Sequence, residues 1–161
     1  MRTAIVYYSL TGNVDNAAEK IAARLGADII RIAPEKEFPD KGFKKFFWGG
    51  KSAVMREEPK LLPCSFDAAN YDRVILGTPV WASNITPPMR TFVKAHAEEL
   101  KEKSLAVFFC FSGGGADKAC EKLKKLIGVE NFAAETALID PLAKPSEANE
   151  KLIAEFCEKL S

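Results

Sequence analysis

The sequence predicts an α/β fold, a three-layer sandwich with a five-stranded parallel sheet between helices on both faces. Three observations lead there. Five short runs rich in Val, Ile and Phe recur along the chain, in the manner of strands buried on both faces. A helical period follows nearly every run. No internal repeat, low-complexity tract or linker divides the chain, so its 161 residues read as one domain.

The first run, Thr3–Tyr8, ends in a turn of hydroxyls, one glycine and one asparagine, Ser9-Leu10-Thr11-Gly12-Asn13-Val14. A helix follows, because Val14, Ala17, Ala18, Ile21, Ala22 and Leu25 form a single apolar stripe, and Gly26 suits its C-terminal stop. The second strand is Asp28–Ile32. A long connection from Ala33 to Tyr71 is punctuated by Pro34, Pro39, Pro59 and Pro63. It carries Phe43, Phe46, Phe47 and Trp48, whose spacing predicts a helix through about Val54; these rings either pack on the sheet or border a ligand.

The third strand is Arg73–Gly77. Thr86 can cap a helix entered through Pro87-Pro88, with Met89, Phe92, Val93, His96 and Leu100 on one face. Leu105–Phe111 is the fourth strand, followed by a helix with Ala119, Cys120, Leu123, Leu126 and Ile127 inward and Gly128 at its stop. Ala134–Ile139 is the fifth. Ser146 starts the last helix, with Leu152, Ile153, Phe156 and Leu160 inward.

Composition narrows the function. A net charge of +1 implies neither nucleic acid nor an anionic membrane surface as partner. The N-terminus lacks the pattern of a signal peptide and no apolar run could span a bilayer, so a cytoplasmic protein is expected. Cys64, Cys110, Cys120 and Cys157 have no metal-ligand spacing and read as free thiols. The single histidine, His96, falls on an apolar helix face and reads as a packed core residue. Lys118, Lys122, Lys124 and Lys125 read as a solvated helix face, with docking of an acidic partner as the alternative. A phospho-receiver needs acids at Tyr8-Ser9 or Gly77-Thr78, and a P-loop needs glycine where Lys45 stands; both fail.

In an open α/β sheet, ligands bind beyond the carboxyl ends of the strands. Three such ends are unusual here. Amides at a helix start are unpaired and lie at the positive end of the dipole, so Ser9–Val14, with two hydroxyls and a glycine, suits a phosphate. No Lys or Arg lies in the turn, which suits a phosphate held rather than transferred. In Gly77-Thr78-Pro79-Val80-Trp81-Ala82-Ser83-Asn84 a tryptophan stands just past a strand, and Ser112-Gly113-Gly114-Gly115 offers open backbone amides to a flat ligand. A planar, phosphorylated cofactor fits the set.

With these residues, and Pro87-Pro88 behind the second segment, the chain resembles the flavodoxin-like family that binds FMN, in its short-chain form and over essentially the whole length. Strand order 2-1-3-4-5 is a property of that family rather than something the spacing dictates. The resemblance implies an FMN phosphate at Ser9, Leu10, Thr11, Gly12, Asn13 and Val14. It places the flavin ring against Thr78, Pro79, Val80, Trp81, Ala82 and Asn84 and against Ser112, Gly113, Gly114 and Gly115.

Three features depart from the family pattern. Val14 stands where a threonine is common. The Trp81–Asn84 loop has no glycine, leaving Asn84 to enter the left-handed region. Ala116-Asp117 stands where a second stacking aromatic is common, so the ring is covered on one side only or by an aromatic of Phe43–Trp48. The expected role is a low-potential electron carrier, monomeric or weakly dimeric, that serves redox partner proteins. The alternatives are an FMN-dependent quinone or nitro-compound reductase and a flavin-free binding module.

Overall fold

The computed structural model describes residues 1–39, 51 and 56–161. Its sheet holds β1 (Thr3–Tyr7), β2 (Asp28–Arg31), β3 (Arg73–Trp81), β4 (Asn84–Ile85), β5 (Ser104–Phe111) and β6 (Ala134–Ile139). The five parallel strands run in the order β2-β1-β3-β5-β6, the expected 2-1-3-4-5 once the short β4 is set aside. Helices α1 (Asn13–Leu25) and α4 (Glu147–Glu158) cover one face; α2 (Pro87–Lys101) and α3 (Ala116–Ile127) cover the other. Among the described residues, no helix is long and apolar enough to cross a membrane.

Alternation along each central strand builds both cores. Ile5, Ile75 and Phe108 pack under α1 and α4 with Val14, Ile21, Ile153 and Phe156. Val6, Leu76, Val107 and Phe109 pack under α2 and α3 with Met89, Phe92, Leu123 and Ile127. All five residues of β1 are buried. The expectation of strands buried on both faces fails at β2, where Ile30 alone is buried, and at β6, where Glu135 and Ile139 are exposed. Both are edge strands, each paired to a neighbour on one side only.

Helix ends follow local chemistry. Gly26 and Gly128 close α1 and α3 in the left-handed conformation. Ser146 caps α4 by accepting the Asn149 amide. Thr86 stands at the start of α2 but does not cap it; its hydroxyl is buried against the Thr78 hydroxyl, 3.1 Å away. Leu152 is exposed rather than inward, and Asn149 takes the inward place. Its side chain accepts from Ile139 N and donates to Ile139 O, completing the backbone pairing at the end of the edge strand. His96 is half-buried between Phe66 and Phe92, with Nδ1 2.8 Å from Glu99. All four cysteines are free and Cys64 alone is exposed.

Two elements differ from expectation. Strand β3 runs four residues past Gly77, through Pro79, and turns back as β4. Pairing with β1 ends at Gly77, so the amide that Pro79 lacks has no partner to serve on that side. The two ends of the long connection are zipped together: Glu35 N donates to Lys60 O, Leu62 N donates to Ala33 O, and Pro34 pairs with Leu61. Of the expected helix around Phe43–Val54, Lys51 is helical and the rest lies outside the described residues.

Gly77 is the tightest point of the sheet. It is in register with Tyr7 on one side and Phe108 on the other, and a Cβ there would lie under 3.0 Å from three atoms of the Phe108 ring. Both neighbours are buried, so the ring has nowhere to retreat. Gly77→Ala is expected to destabilise the fold by about 1–3 kcal/mol, the range for overpacking a filled core. Denaturant unfolding checks this, and Phe108→Leu in the same background should recover part of the loss.

Candidate functional site

The ends of β1, β3, β5 and β6 enclose a cleft of about 510 Å³. At β1 the chain turns sharply into α1. Ser9 is buried and its hydroxyl accepts the Gly12 amide at 3.2 Å. Gly12 begins α1 at φ 96°, and no side chain caps the helix. The first-turn amides therefore keep the positive end of the helix dipole open to an external acceptor. Ser9, Leu10, Thr11, Asn13 and Val14 line the cleft.

The turn has a cationic support that its own sequence lacks. Arg31 ends β2 in register with Tyr7, and its guanidinium donates to Ser9 O at 2.9 Å while lying 3.6 Å from Asp15. Only the parallel pairing of β1 with β2 brings it there.

Asn13 reaches away from the helix axis. Its side-chain oxygen accepts the amides of Leu142 at 2.9 Å and Ala143 at 3.2 Å. Its amide group lies 3.5 Å from Asp140. Asp140 is buried on the cleft wall at φ 40° and accepts a 2.8 Å hydrogen bond from the Ser112 hydroxyl. This carboxylate was absent from the expected site. The available signal was an acid just past a strand, in Ile139-Asp140-Pro141.

The opposite wall is the hairpin of β3 and β4. Pro79, Val80, Trp81 and Ala82 line the cleft, joined by Ser83. Trp81 meets Tyr8 edge-on at 6.0 Å and Phe38 at 5.3 Å. The Tyr8 hydroxyl donates to Glu37 at 2.6 Å, and the same carboxylate accepts the Phe38 amide at 2.9 Å. Burial first, then the Glu37 bond, push the Tyr8 hydroxyl far above its ordinary range, so it remains a donor. Phe38, from the long connection, packs against Trp81 without lining the cleft; Phe43–Trp48, expected to cover the ring, lie outside the described residues. Phe111, at the end of β5, adds a further ring to the wall.

Ala82 and Ser83 both have positive φ, 50° and 60°. Trp81 pairs with Asn84, so this is a two-residue hairpin, and positive φ at both central positions makes its turn type I′. The left-handed residues are therefore Ala82 and Ser83, and not Asn84, which is buried in β4 and donates to Ala82 O at 2.7 Å. Each non-glycine residue there costs roughly 1–2 kcal/mol.

The third segment closes the cleft. Ser112, Gly113, Gly114 and Gly115 all line it. Gly115 has φ 89°, and a Cβ on it would fall 2.6 Å from the Ser83 hydroxyl and 3.0 Å from Ser83 Cα. Only glycine lets this loop pack on the hairpin. Cys110 lies on the floor, its thiol pushed up by burial.

Three expected residues do not reach the wall. Gly12 lies beneath Leu142. Thr78 is wholly buried, tied to Thr86. Asn84 supports the hairpin from within.

The strain at Ala82 gives a test. Ala82→Gly is expected to leave stability unchanged or raise it by up to about 1 kcal/mol, because relief of the left-handed conformation offsets the entropy that glycine loses on folding. Thermal unfolding checks the sign; a loss of 1 kcal/mol or more, roughly what glycine costs inside regular structure, would contradict it.

Comparison with known proteins agrees with this architecture. The family model described as flavodoxin matches residues 2–150. A flavoprotein from Lactobacillus acidophilus NCFM, solved in complex with FMN, superposes with a TM-score of 0.75 at 18% identity, covering 96% of this chain and 97% of that one. Two-electron reduced Megasphaera elsdenii flavodoxin gives 0.62 at 17% identity, over 98% of this chain and 99% of the other. Oxidised flavodoxin 1 from Bacillus cereus gives 0.59 at 15% identity, over 99% and 97%. At such identities these structures share the fold with this chain.

Proposed function

This chain belongs to the flavodoxin family, and on that footing we propose that it binds FMN in the cleft and works as a low-potential electron carrier between redox proteins. One observation carries the reading. Helices α1 and α3 both start at the cleft from a glycine with no side-chain cap, and the turn into α1 carries two cleft-lining hydroxyls, those of Ser9 and Thr11. An uncapped helix start beside an exposed threonine hydroxyl is a site for an external anion.

When bound, FMN supplies reversible electron exchange. The residues do the rest. The first-turn amides of α1 and the Thr11 hydroxyl would hold the phosphate. Trp81 and Phe111 would border the ring, and the Ser112–Gly115 backbone would offer it hydrogen bonds. The described lining has no Lys, Arg or His, and its one carboxylate, Asp140, opposes the addition of negative charge. Both features favour a low potential.

A carrier reading is also supported by what the lining can do with protons. Among the described residues of the wall, the side chains able to ionise are Asp140, already accepting two donors, and Cys110, pushed out of reach by burial. Neither is placed to protonate a substrate. The rim itself is open at Thr11, Ala82 and Ser112–Gly114, where a partner could approach.

Stepwise anaerobic reduction of the FMN-loaded protein, followed by visible absorption, should resolve two separate steps. A single two-electron bleaching would favour the reductase, and no bound flavin would remove the proposal. The phosphate placement has its own test. Thr11→Val should weaken FMN about tenfold, the effect of losing one hydrogen bond to a charged group, and leave riboflavin affinity nearly unchanged. Equal losses for both would place the phosphate elsewhere.

A further inference from the structure

Lys122 stands in the run of lysines expected to form a solvated face, yet its side chain turns inward. Lys118 and Lys125 are exposed, and Lys124 is held between Glu121 at 3.2 Å and Glu135 at 3.3 Å. The Lys122 ammonium donates to Ser83 O at 3.2 Å and to Asn84 Oδ1 at 2.9 Å. Asn84 in turn donates to Ala82 O at 2.7 Å. Both carbonyls of the left-handed pair are thereby engaged.

The hairpin needs such support. Its return strand β4 is two residues long, and its turn places two non-glycine residues at positive φ. Short hairpins are marginal by themselves. Helix α3 grips this one at two points seven residues apart, and therefore on one face: Gly115 packs against Ser83, and Lys122 binds Ser83 O and Asn84. Ala119, between them, is fully buried. Hydrogen bonds from a half-buried ammonium are strong enough to offset strain of this size.

We propose that Lys122 is a positioning residue for the cleft: it holds the Trp81–Asn84 hairpin in its strained form before any ligand arrives, so that the wall is built in advance. Without it the hairpin relaxes, and only the fraction of molecules in the strained form can bind; affinity falls by that fraction. The proposal rests on the reading of the cleft as a flavin site for its ligand, but not for its effect on the free protein.

Two variants test it, Lys122→Met and Lys122→Arg. In ligand-free protein, Lys122→Met should speed hydrogen exchange of the amides of residues 82–85 about tenfold, while amides of α3 near Leu123 stay unchanged. The dissociation constants of FMN and riboflavin should both rise by the same factor of about ten, because the wall would meet the ring rather than the phosphate. Lys122→Arg should restore most of both. Unchanged exchange at residues 82–85, faster exchange along all of α3, or unchanged flavin affinity despite a mobile hairpin would each overturn the proposal. If the unmodified protein binds neither flavin, the FMN reading fails by itself; exchange at residues 82–85 then decides Lys122, faster in its favour and unchanged against it.

Discussion

The height at which the strands end is fixed by one close approach, the Phe108 ring lying over Gly77. Tyr7, Gly77 and Phe108 stand side by side across β1, β3 and β5. A one-residue slip of β3 would put a Cβ where the ring lies and turn every side chain of the strand to the wrong core. Because this row is locked, β1 leaves the sheet at Tyr8 while β3 and β5 run on to Trp81 and Phe111, and the loops that follow them are brought within reach of one another. Everything that makes the cleft one site follows from that alignment.

The touching is direct. Asn13, just past the first turn, binds the backbone after β6; Asp140 from that segment binds Ser112 after β5; Gly115 after β5 packs on Ser83 of the hairpin. Trp81 then closes the circuit against Tyr8 at the end of β1. Four loops are held in a ring of contacts, with polar pairs on one side and aromatic edges on the other. Such a network resists local motion more than any single loop could.

The fold was legible in the sequence because burial writes itself into periodicity. Thr3–Tyr8, Leu105–Phe111 and the stripe Val14–Leu25 stand where two-sided or one-sided burial demands them. The edge strands were harder, since Asp28–Arg31 and Ala134–Ile139 carry strand residues without two-sided burial. Of the cleft, the local turns were legible: Ser9–Val14, Trp81 and Ser112–Gly115 announce themselves by composition. What was not legible came from far along the chain. Arg31, Phe38 and Lys122 carry no local signature, Asp140 only that of an acid just past a strand, and all four become neighbours of the cleft through pairing and packing. The left-handed positions fall on Ala82 and Ser83 rather than Asn84 for a related reason, because Pro79 hides the continuation of β3 that makes this a two-residue turn.

The zipped ends of the long connection bear on how this chain could change over generations. With residues 33–35 already paired to residues 60–62, the intervening stretch is a side excursion whose closure the sheet does not have to finance. Doubling the length of such an excursion costs only about 0.6 kcal/mol in chain entropy. Insertions and deletions there leave β2 and β3 in register. Glu37 binds Tyr8 and Phe38 presses on Trp81, so substitutions at these two positions, at the beginning of the excursion, would change the support of the cleft wall while the frame stays constant. The frame of the sheet and the length of the connection are thus separated by one short pair of backbone hydrogen bonds.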